Sequence, residues 1–94
     1  MSVYVIASLT VKDAVRFDDY RRMVLSTTEK YGGRLVARGG PIVLEGEWPR
    51  EKLIIAEFPS MERAREWWGS PEYAEPKALR QATADSELVI VHGV

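Results

Sequence analysis

Hydrophobic positions alternate with a period of two at the start of the chain and with a helical period in the segment that follows. Residues 3–11 (VYVIASLTV) are rich in valine and isoleucine and predict a strand. Asp13 is a good N-cap for the next segment. The inward stripe of this helix recurs at spacings of three and four, at Phe17, Tyr20, Val24, Thr27 and Tyr31. Gly32-Gly33 is expected to end the helix, because glycine adopts the left-handed conformation found after helix C-termini.

Three further strands are predicted in the middle of the chain. Residues 34–38 alternate charged and apolar side chains and indicate a second strand. Residues 39–41 (GGP) are expected to turn the chain, since glycine tolerates the positive φ angles of tight hairpins, and residues 42–47 to return as a third strand. Residues 48–51 form a loop that contains a proline. Residues 52–58 are nearly all apolar and predict a fourth strand.

Two helix start signals and a final strand complete the pattern. Ser60 is expected to cap one helix, and Ser70-Pro71 to begin another with proline at the first helical position. Pro76 should break or kink this second helix, because proline lacks the backbone N–H and its ring clashes with the preceding turn. After this break or kink we expect helix from about residue 77 to 83, and then a last strand over residues 88–91.

This order predicts one α+β domain over residues 1–94, a ferredoxin-like βαββαβ sandwich with room for one short additional piece. Both helices would cover one face of an antiparallel sheet, which normally leaves a polar second face. However, the strands that include Val3, Leu53 and Leu88 carry apolar residues in both phases. A single copy would then expose a large apolar patch. We therefore predict a homodimer packed sheet to sheet, a dimeric α/β barrel.

Composition narrows the function classes without selecting one. The 94 residues include no cysteine, which excludes a disulfide or a thiolate nucleophile and is compatible with the cytosol. Thirteen basic and fourteen acidic residues are interspersed, so a nucleic-acid partner is not expected. No apolar run approaches the roughly 18 residues of a membrane span, and the amino terminus lacks the pattern of a signal peptide. We expect a cytoplasmic protein without membrane contact.

Short motifs run in order through nearly the whole chain: VKD at 11–13, Tyr20, YGGRLVARGG at 31–40, LEG at 44–46, Trp48-Pro49, EFPS at 57–60, SPEY at 70–73, LR at 79–80 and Gly93. As a set they resemble domain-of-unknown-function family 1330, a branch of the dimeric α/β-barrel superfamily. The resemblance implies a ferredoxin-like fold and a homodimer, and it brings no established activity. Pro76 departs from the pattern of the family's final helix.

The predicted hairpin is the first candidate for ligand binding. Arg38 beside Gly39 and Gly40 can present a guanidinium and backbone amides to a carboxylate-bearing ligand, or it can simply pair with Glu45 on the next strand. The candidates for lining an apolar pocket between helices and sheet are the aromatic residues Tyr20, Trp48, Trp67, Trp68 and Tyr73, with core and interface packing as the alternative. Arg80 is interpreted as compensating the dipole of the final helix or forming a salt bridge.

Three residues are candidates for catalysis: Glu45, Glu57 and His92. A buried glutamate has a raised pKa and can act as a base, with Arg38 stabilising an enolate, as the cofactor-free oxygenases and isomerase-like enzymes of the superfamily imply. Either glutamate can instead be an ion-pair partner. His92 can be an acid–base residue or, as in some superfamily members, a haem ligand, whereas a lone histidine at a strand end is often merely exposed. A single histidine without cysteine makes a zinc site improbable, and no metal or cofactor is predicted.

Three functions follow from these observations. The leading hypothesis is a small homodimer that binds a compact, partly apolar organic molecule between helices and sheet. The second is a cofactor-free enzyme that uses a glutamate and Arg38. The third is a structural or regulatory dimer without a ligand. The common nucleotide, phosphate, zinc-protease and hydrolase motifs are absent from the sequence.

Overall fold

The computed structural model describes residues 2–94, which form four strands and three helices. In chain order these are β1 (Val3–Val11), α1 (Ala14–Lys30), β2 (Arg34–Gly39), β3 (Lys52–Phe58), α2 (Met61–Trp68), α3 (Pro71–Thr83) and β4 (Ala84–His92). The strands form one antiparallel sheet in the order β2-β3-β1-β4. The predicted ferredoxin-like α+β fold is confirmed.

The core lies between the helices and one face of the sheet. One phase of β1 is buried there, namely Val3, Val5, Ala7 and Leu9. Aromatic side chains from three elements pack on it, among them Phe17 and Tyr20 of α1, Phe58 of β3 and Trp67 of α2. The strand phase that faces the helices is therefore defined for the whole sheet, because residues paired across antiparallel strands point to the same side.

The predicted helix boundaries are confirmed where they rest on capping chemistry. The side chains of Asp13, Ser60 and Ser70 each accept a hydrogen bond from the backbone N–H three residues later, at 3.2 Å. Gly32 follows α1 with a φ of +81°, a conformation that glycine adopts without strain. These bonds satisfy backbone donors that the first turn of a helix leaves unpaired.

The predicted hairpin at residues 39–41 and the strand over residues 42–47 are wrong. The chain from Gly40 to Glu51 forms a loop without strand pairing, and β2 pairs with β3 instead. Apolar side chains in this loop are exposed, and Leu44 is 96% exposed. The segment has strand-forming residues, but in the monomer no neighbouring strand satisfies its backbone hydrogen bonds.

The predicted break at Pro76 is wrong, because α3 is assigned as one helix from Pro71 to Thr83. Pro76 is its sixth residue, and the missing N–H removes one backbone bond, to the carbonyl of Glu72. Its ring is fully buried and packs in the core. The last strand is longer than predicted, since β4 begins at the buried Ala84 and pairs along all of β1.

A β-bulge in β2 changes which side chains share a face. Leu35 pairs with Ala56 and Ala37 with Ile55, so Val36 is an extra residue without a partner. Simple alternation along the strand predicts that Arg38 and Leu35 point to opposite faces of the sheet. The bulge shifts the phase by one residue, and Arg38 faces the helices together with Leu35.

The sheet face turned away from the helices has no cover in the monomer, and we call it the helix-free face. It carries six large apolar or aromatic side chains, at Tyr4, Ile6, Leu53, Ile55, Val89 and Val91. Val89 is 53% exposed. The apolar residues in one phase of these strands therefore pack against the helices, and those in the other phase lie on a face that has no cover in the monomer.

Candidate functional site

A cavity of about 300 Å³ lies between α1 and the side of the sheet that faces the helices. Its floor consists of buried and mainly apolar side chains, including Val5, Ala7, Leu9, Phe17, Tyr20 and Trp67. Its mouth is lined by exposed residues of α1, β2 and β3, including Arg21, Leu25, Arg38, Gly39 and Lys52. We call this space the helix–sheet cavity.

The mouth of the helix–sheet cavity is positively charged. Arg21, Arg38 and Lys52 line it, and no carboxylate does so in the described part of the chain. Arg21 is paired with Asp18 at 3.4 Å. Within residues 2–94, neither Arg38 nor Lys52 has an acidic side chain within 4.0 Å. Two cations next to an apolar space favour a ligand that carries negative charge at one end.

A chain of buried polar groups begins at Tyr20 in the cavity floor and joins α1, α3 and β4. The hydroxyl oxygens of Tyr20 and Tyr73 are 3.2 Å apart. The Nε of Arg80 donates a hydrogen bond to the Tyr73 hydroxyl at 3.3 Å, and its Nη1 donates to the hydroxyl of Ser86. Arg80 is only 2% exposed, and no carboxylate lies within 4.0 Å of its guanidinium in residues 2–94. We call Tyr20, Tyr73 and Arg80 the Tyr–Tyr–Arg chain.

Tyr20 keeps its proton throughout the physiological range. Burial raises the pKa of its phenol far above the ordinary value of 10.0, and the neighbouring Tyr73 raises it further. Arg80 acts in the opposite direction and is outweighed. A buried phenol in this state is a neutral O–H donor rather than a base.

Trp67 forms the side of the cavity next to the Tyr–Tyr–Arg chain. Its ring lies 4.1 Å from the Tyr73 ring and 5.4 Å from the Phe58 ring, centroid to centroid. Its indole Nε1 donates a hydrogen bond to the Thr27 hydroxyl at 3.1 Å. The indole is therefore held by aromatic packing and by a hydrogen bond at its polar edge.

The structure brings together some of the residues that the sequence suggested for ligand binding. Tyr20, Arg38 and Gly39 line the helix–sheet cavity. Gly40 follows β2, and Trp48 lies exposed in the loop after it; neither lines the cavity. The ligand-binding roles of all five stay predictions.

The three candidates for catalysis lie outside the cavity lining. Glu45 is exposed in the loop after β2, and no ion pair joins it to Arg38 in residues 2–94. Glu57 lies on the helix-free face, where hydrogen bonds from Ser2 and then Arg34 lower the pKa of its carboxyl. His92 is exposed at the end of β4. Nowhere between residues 2 and 94 do three or more histidine, aspartate or glutamate side chains approach closely enough to hold a metal ion.

Tyr73 and Arg80 are the polar residues next to the site whose contacts the sequence did not predict. The sequence suggests Tyr73 only as one of the aromatics for pocket lining or packing, and Arg80 only as a residue of the helix end. Their spacing of seven residues places both on one face of α3, which is a usable signal. What that face meets on α1 is 53 residues away in the chain and has no local signature.

Solved structures similar to this chain share its fold. A protein of unknown function from Rhodopseudomonas palustris matches with a TM-score of 0.82 at 23% identity, over 99% of this chain and 82% of that chain. A dimeric ferredoxin-like protein of unknown function from Jannaschia sp. CCS1 matches at 0.77 and 10%, over 99% and 100%. SnoaB, a cofactor-independent oxygenase from Streptomyces nogalater, matches at 0.73 and 15%, over 99% and 93%. At these identities the similarity establishes the fold alone.

Sequence comparison identifies the family. No individually curated protein matches the chain significantly. The sequence model of the family described as domain of unknown function, DUF1330, matches residues 2–94. That match extends along the same segments whose motifs suggested it. The chain therefore belongs to the DUF1330 family.

Proposed function

We propose that this protein binds a compact, partly apolar organic anion in the helix–sheet cavity. The observation that carries the proposal is the contrast between an apolar floor and a mouth lined by Arg21, Arg38 and Lys52 without a carboxylate. In this arrangement the apolar body of the ligand packs on the floor, where removal of its surface from water stabilises the complex. Its acidic group lies at the mouth next to Arg38.

The size of the cavity limits the ligand. At about 300 Å³ it is at the small end of small-molecule sites, which suits a molecule of one or two rings. Arginine binds carboxylates with two parallel hydrogen bonds, so a carboxylic acid suits Arg38 better than a neutral molecule does. We therefore propose small aromatic or alicyclic acids as the ligand class.

The proposal includes a homodimer formed across the helix-free face. Six large apolar or aromatic side chains on that face would be covered by a second copy. The loop after β2 adds exposed apolar side chains, Ile42, Leu44 and Trp48 among them, that a second copy could also cover. The description of the Jannaschia protein as dimeric supports a dimer. A cytoplasmic location remains part of the proposal.

Catalysis is not part of the proposal. The oxygenase description of the Streptomyces nogalater relative belongs to a protein 15% identical to this chain. The glutamates considered for proton abstraction lie outside the helix–sheet cavity, and the pKa of Glu57 is lowered rather than raised. In residues 2–94, no other carboxylate lines the cavity in their place.

The proposal can be tested with 2-naphthoate as the probe. We expect it to bind the wild-type protein and to bind Arg38→Gln roughly tenfold more weakly, because a charge-assisted hydrogen bond is lost. The matched control is Arg22→Gln, which removes an exposed arginine of α1 outside the cavity lining and should leave binding unchanged. Ala56→Phe, which fills the cavity, should abolish binding. Calorimetric titration that shows no binding to the wild type, or equal binding to wild type and Ala56→Phe, would contradict the proposal.

A further inference from the structure

The hydroxyls of Tyr20 and Tyr73 have two protons to donate, and the described residues offer an acceptor for only one of them. Arg80 Nε donates to the Tyr73 oxygen, which is therefore an acceptor in that contact. The two hydroxyls have two protons, and only one of these can lie between their oxygens, 3.2 Å apart. Neither hydroxyl donates to any further acceptor in residues 2–94. Both oxygens have a hydrogen-bond partner, but one of the two O–H groups has no acceptor in residues 2–94, which costs free energy unless a ligand accepts it.

Electrostatics assign the unused proton to Tyr20. The guanidinium of Arg80 polarises the Tyr73 hydroxyl, which makes Tyr73 a stronger donor and a weaker acceptor towards its other neighbour. Either hydroxyl can be the donor in the contact between the two, and this polarisation favours Tyr73, which leaves the Tyr20 O–H for another acceptor. Tyr20 lines the helix–sheet cavity and Tyr73 does not. The unused donor thus belongs to the residue that a ligand can contact.

We propose that the Tyr20 hydroxyl donates a hydrogen bond to a carbonyl-type oxygen of the bound ligand, and that Arg80 strengthens this donor through Tyr73. This inference rests on the proposed function, because it assigns a second polar group to the molecule in the same cavity. Combined with Arg38 at the mouth, it specifies an apolar acid with a carbonyl oxygen at its inner end. Tyr20 contacts the ligand directly, and Tyr73 and Arg80 act through it as positioning residues.

The surroundings strengthen the inference. Tyr20, Tyr73 and Arg80 are all more than nine-tenths buried. In so dry an environment hydrogen bonds are stronger and polarise one another along a chain. The raised pKa of Tyr20 keeps it protonated, so the donor is present at every physiological pH. Arg80 has neutral hydroxyl acceptors and no acidic partner in residues 2–94, so no paired carboxylate offsets its charge next to the tyrosines.

Two probes of nearly equal shape test the inference, 2-acetylnaphthalene and 2-ethylnaphthalene, of which only the first has a carbonyl oxygen. We expect Tyr20→Phe to weaken binding of the ketone roughly fivefold and to leave binding of the hydrocarbon unchanged. The infrared C=O band of the bound, ¹³C-labelled ketone should lie at lower wavenumber in the wild type than in Tyr20→Phe. It should lie between these values in Tyr73→Phe, which removes the link to Arg80 without removing a charge.

Tyr31→Phe is the matched control, because Tyr31 ends the same helix and its hydroxyl bonds to Glu72, away from the cavity lining. It should change neither the binding of the two probes nor the carbonyl band. Equal weakening of both probes by Tyr20→Phe, or an unshifted band in the wild type, would overturn the inference and leave the cavity as a binding site. If neither probe binds the wild type although 2-naphthoate does, the inference is overturned and the proposed function stands. Failure of 2-naphthoate to bind counts against the proposed function itself.

Discussion

The indole Nε1 of Trp67 donates a buried hydrogen bond to the Thr27 hydroxyl across 3.1 Å, and so connects α2 with α1 on one side of the cavity. The same hydroxyl donates to the carbonyl of Val24 at 2.7 Å. Thr27 therefore uses both of its hydrogen-bonding roles. The position of the indole ring, and with it the cavity floor, depends on this threonine.

Thr27→Val should lower the free energy of unfolding by about 1–3 kcal/mol, because the substitution keeps the shape and leaves a buried indole N–H without an acceptor. Urea denaturation followed by tryptophan fluorescence measures the loss. Thr28→Val is the control, since the Thr28 hydroxyl also donates to Val24 but accepts nothing from a side chain. A comparable loss in both variants would show that the indole bond has no special weight.

Gly33→Ala should destabilise the fold by about 1–3 kcal/mol through overpacking. A Cβ at this position would lie 2.6 Å from Cε1 of Phe58 and 2.7 Å from Cγ2 of Thr28. The Phe58 ring is fully buried and has no room to retreat. Gly69→Ala serves as the control, because the nearest atom there is the Arg65 carbonyl oxygen at 3.7 Å. Thermal unfolding should separate the two variants, and equal melting temperatures would contradict the packing argument.

Glu72 links the start of α3 to the end of α1 and should make stability depend on pH. Hydrogen bonds from Lys30 and Tyr31 lower the pKa of its carboxyl to about 2, from 4.5. A carboxyl whose folded pKa is lowered stabilises the protein fully above its unfolded pKa and loses that contribution as the pH falls through its folded pKa. The stability difference between wild type and Glu72→Gln should therefore be present at pH 7 and disappear between about pH 4.5 and pH 2.

Denaturation at a series of pH values checks this behaviour. The control is Glu75→Gln, which removes an exposed acid of the same helix that has no ion pair in residues 2–94. Its difference from the wild type should show no comparable pH dependence. A Glu72→Gln difference that stays constant down to pH 2 would mean that the carboxylate contacts do not stabilise the folded chain.

Val89→Glu should dissociate the proposed homodimer, because a charge would be buried in the interface without a partner. We expect the dissociation constant of the dimer to rise by roughly a hundredfold or more. Val89 lies on the helix-free face and is 53% exposed in the monomer, so the substitution should spare the fold. Val15→Glu places the same charge on α1 at a side chain that is 81% exposed, and should leave the dimer intact. Light scattering over a range of concentrations distinguishes these results, and a monomeric wild type would refute the dimer.

The parts of the fold that depend on neighbours in the sequence were predictable. Asp13, Ser60 and Ser70 cap helices by bonding to backbone three residues away, and that chemistry is visible in the sequence. The stripe that buries Phe17 and Tyr20 follows from helical geometry alone. The strand predicted over residues 42–47 does not form, because strand-forming side chains make a strand only when a partner strand is within hydrogen-bonding reach.

The candidate site was predictable only in part, because its geometry depends on contacts between residues that are distant in the sequence. Tyr20 and Arg38 were singled out, and both line the helix–sheet cavity. Arg38 was expected at a hairpin, but no hairpin forms after β2, and the bulge at Val36 sets the orientation of the Arg38 side chain. Arg80 was assigned to the surface chemistry of a helix end, whereas tertiary packing buries it against Tyr73.

The bulge in β2 lets this strand carry one residue more than its neighbour β3 while Leu35 and Arg38 point to the same side of the sheet. Deleting Val36 would leave a regular strand with the same partners on either side of the deletion, so Arg38 would still face the helices. A regular strand of unchanged length would instead turn Arg38 to the opposite side, because successive residues of a strand point to opposite faces. The loss of one codon at this position would therefore preserve the charge at the cavity mouth, whereas the loss of the bulge at constant length would remove it.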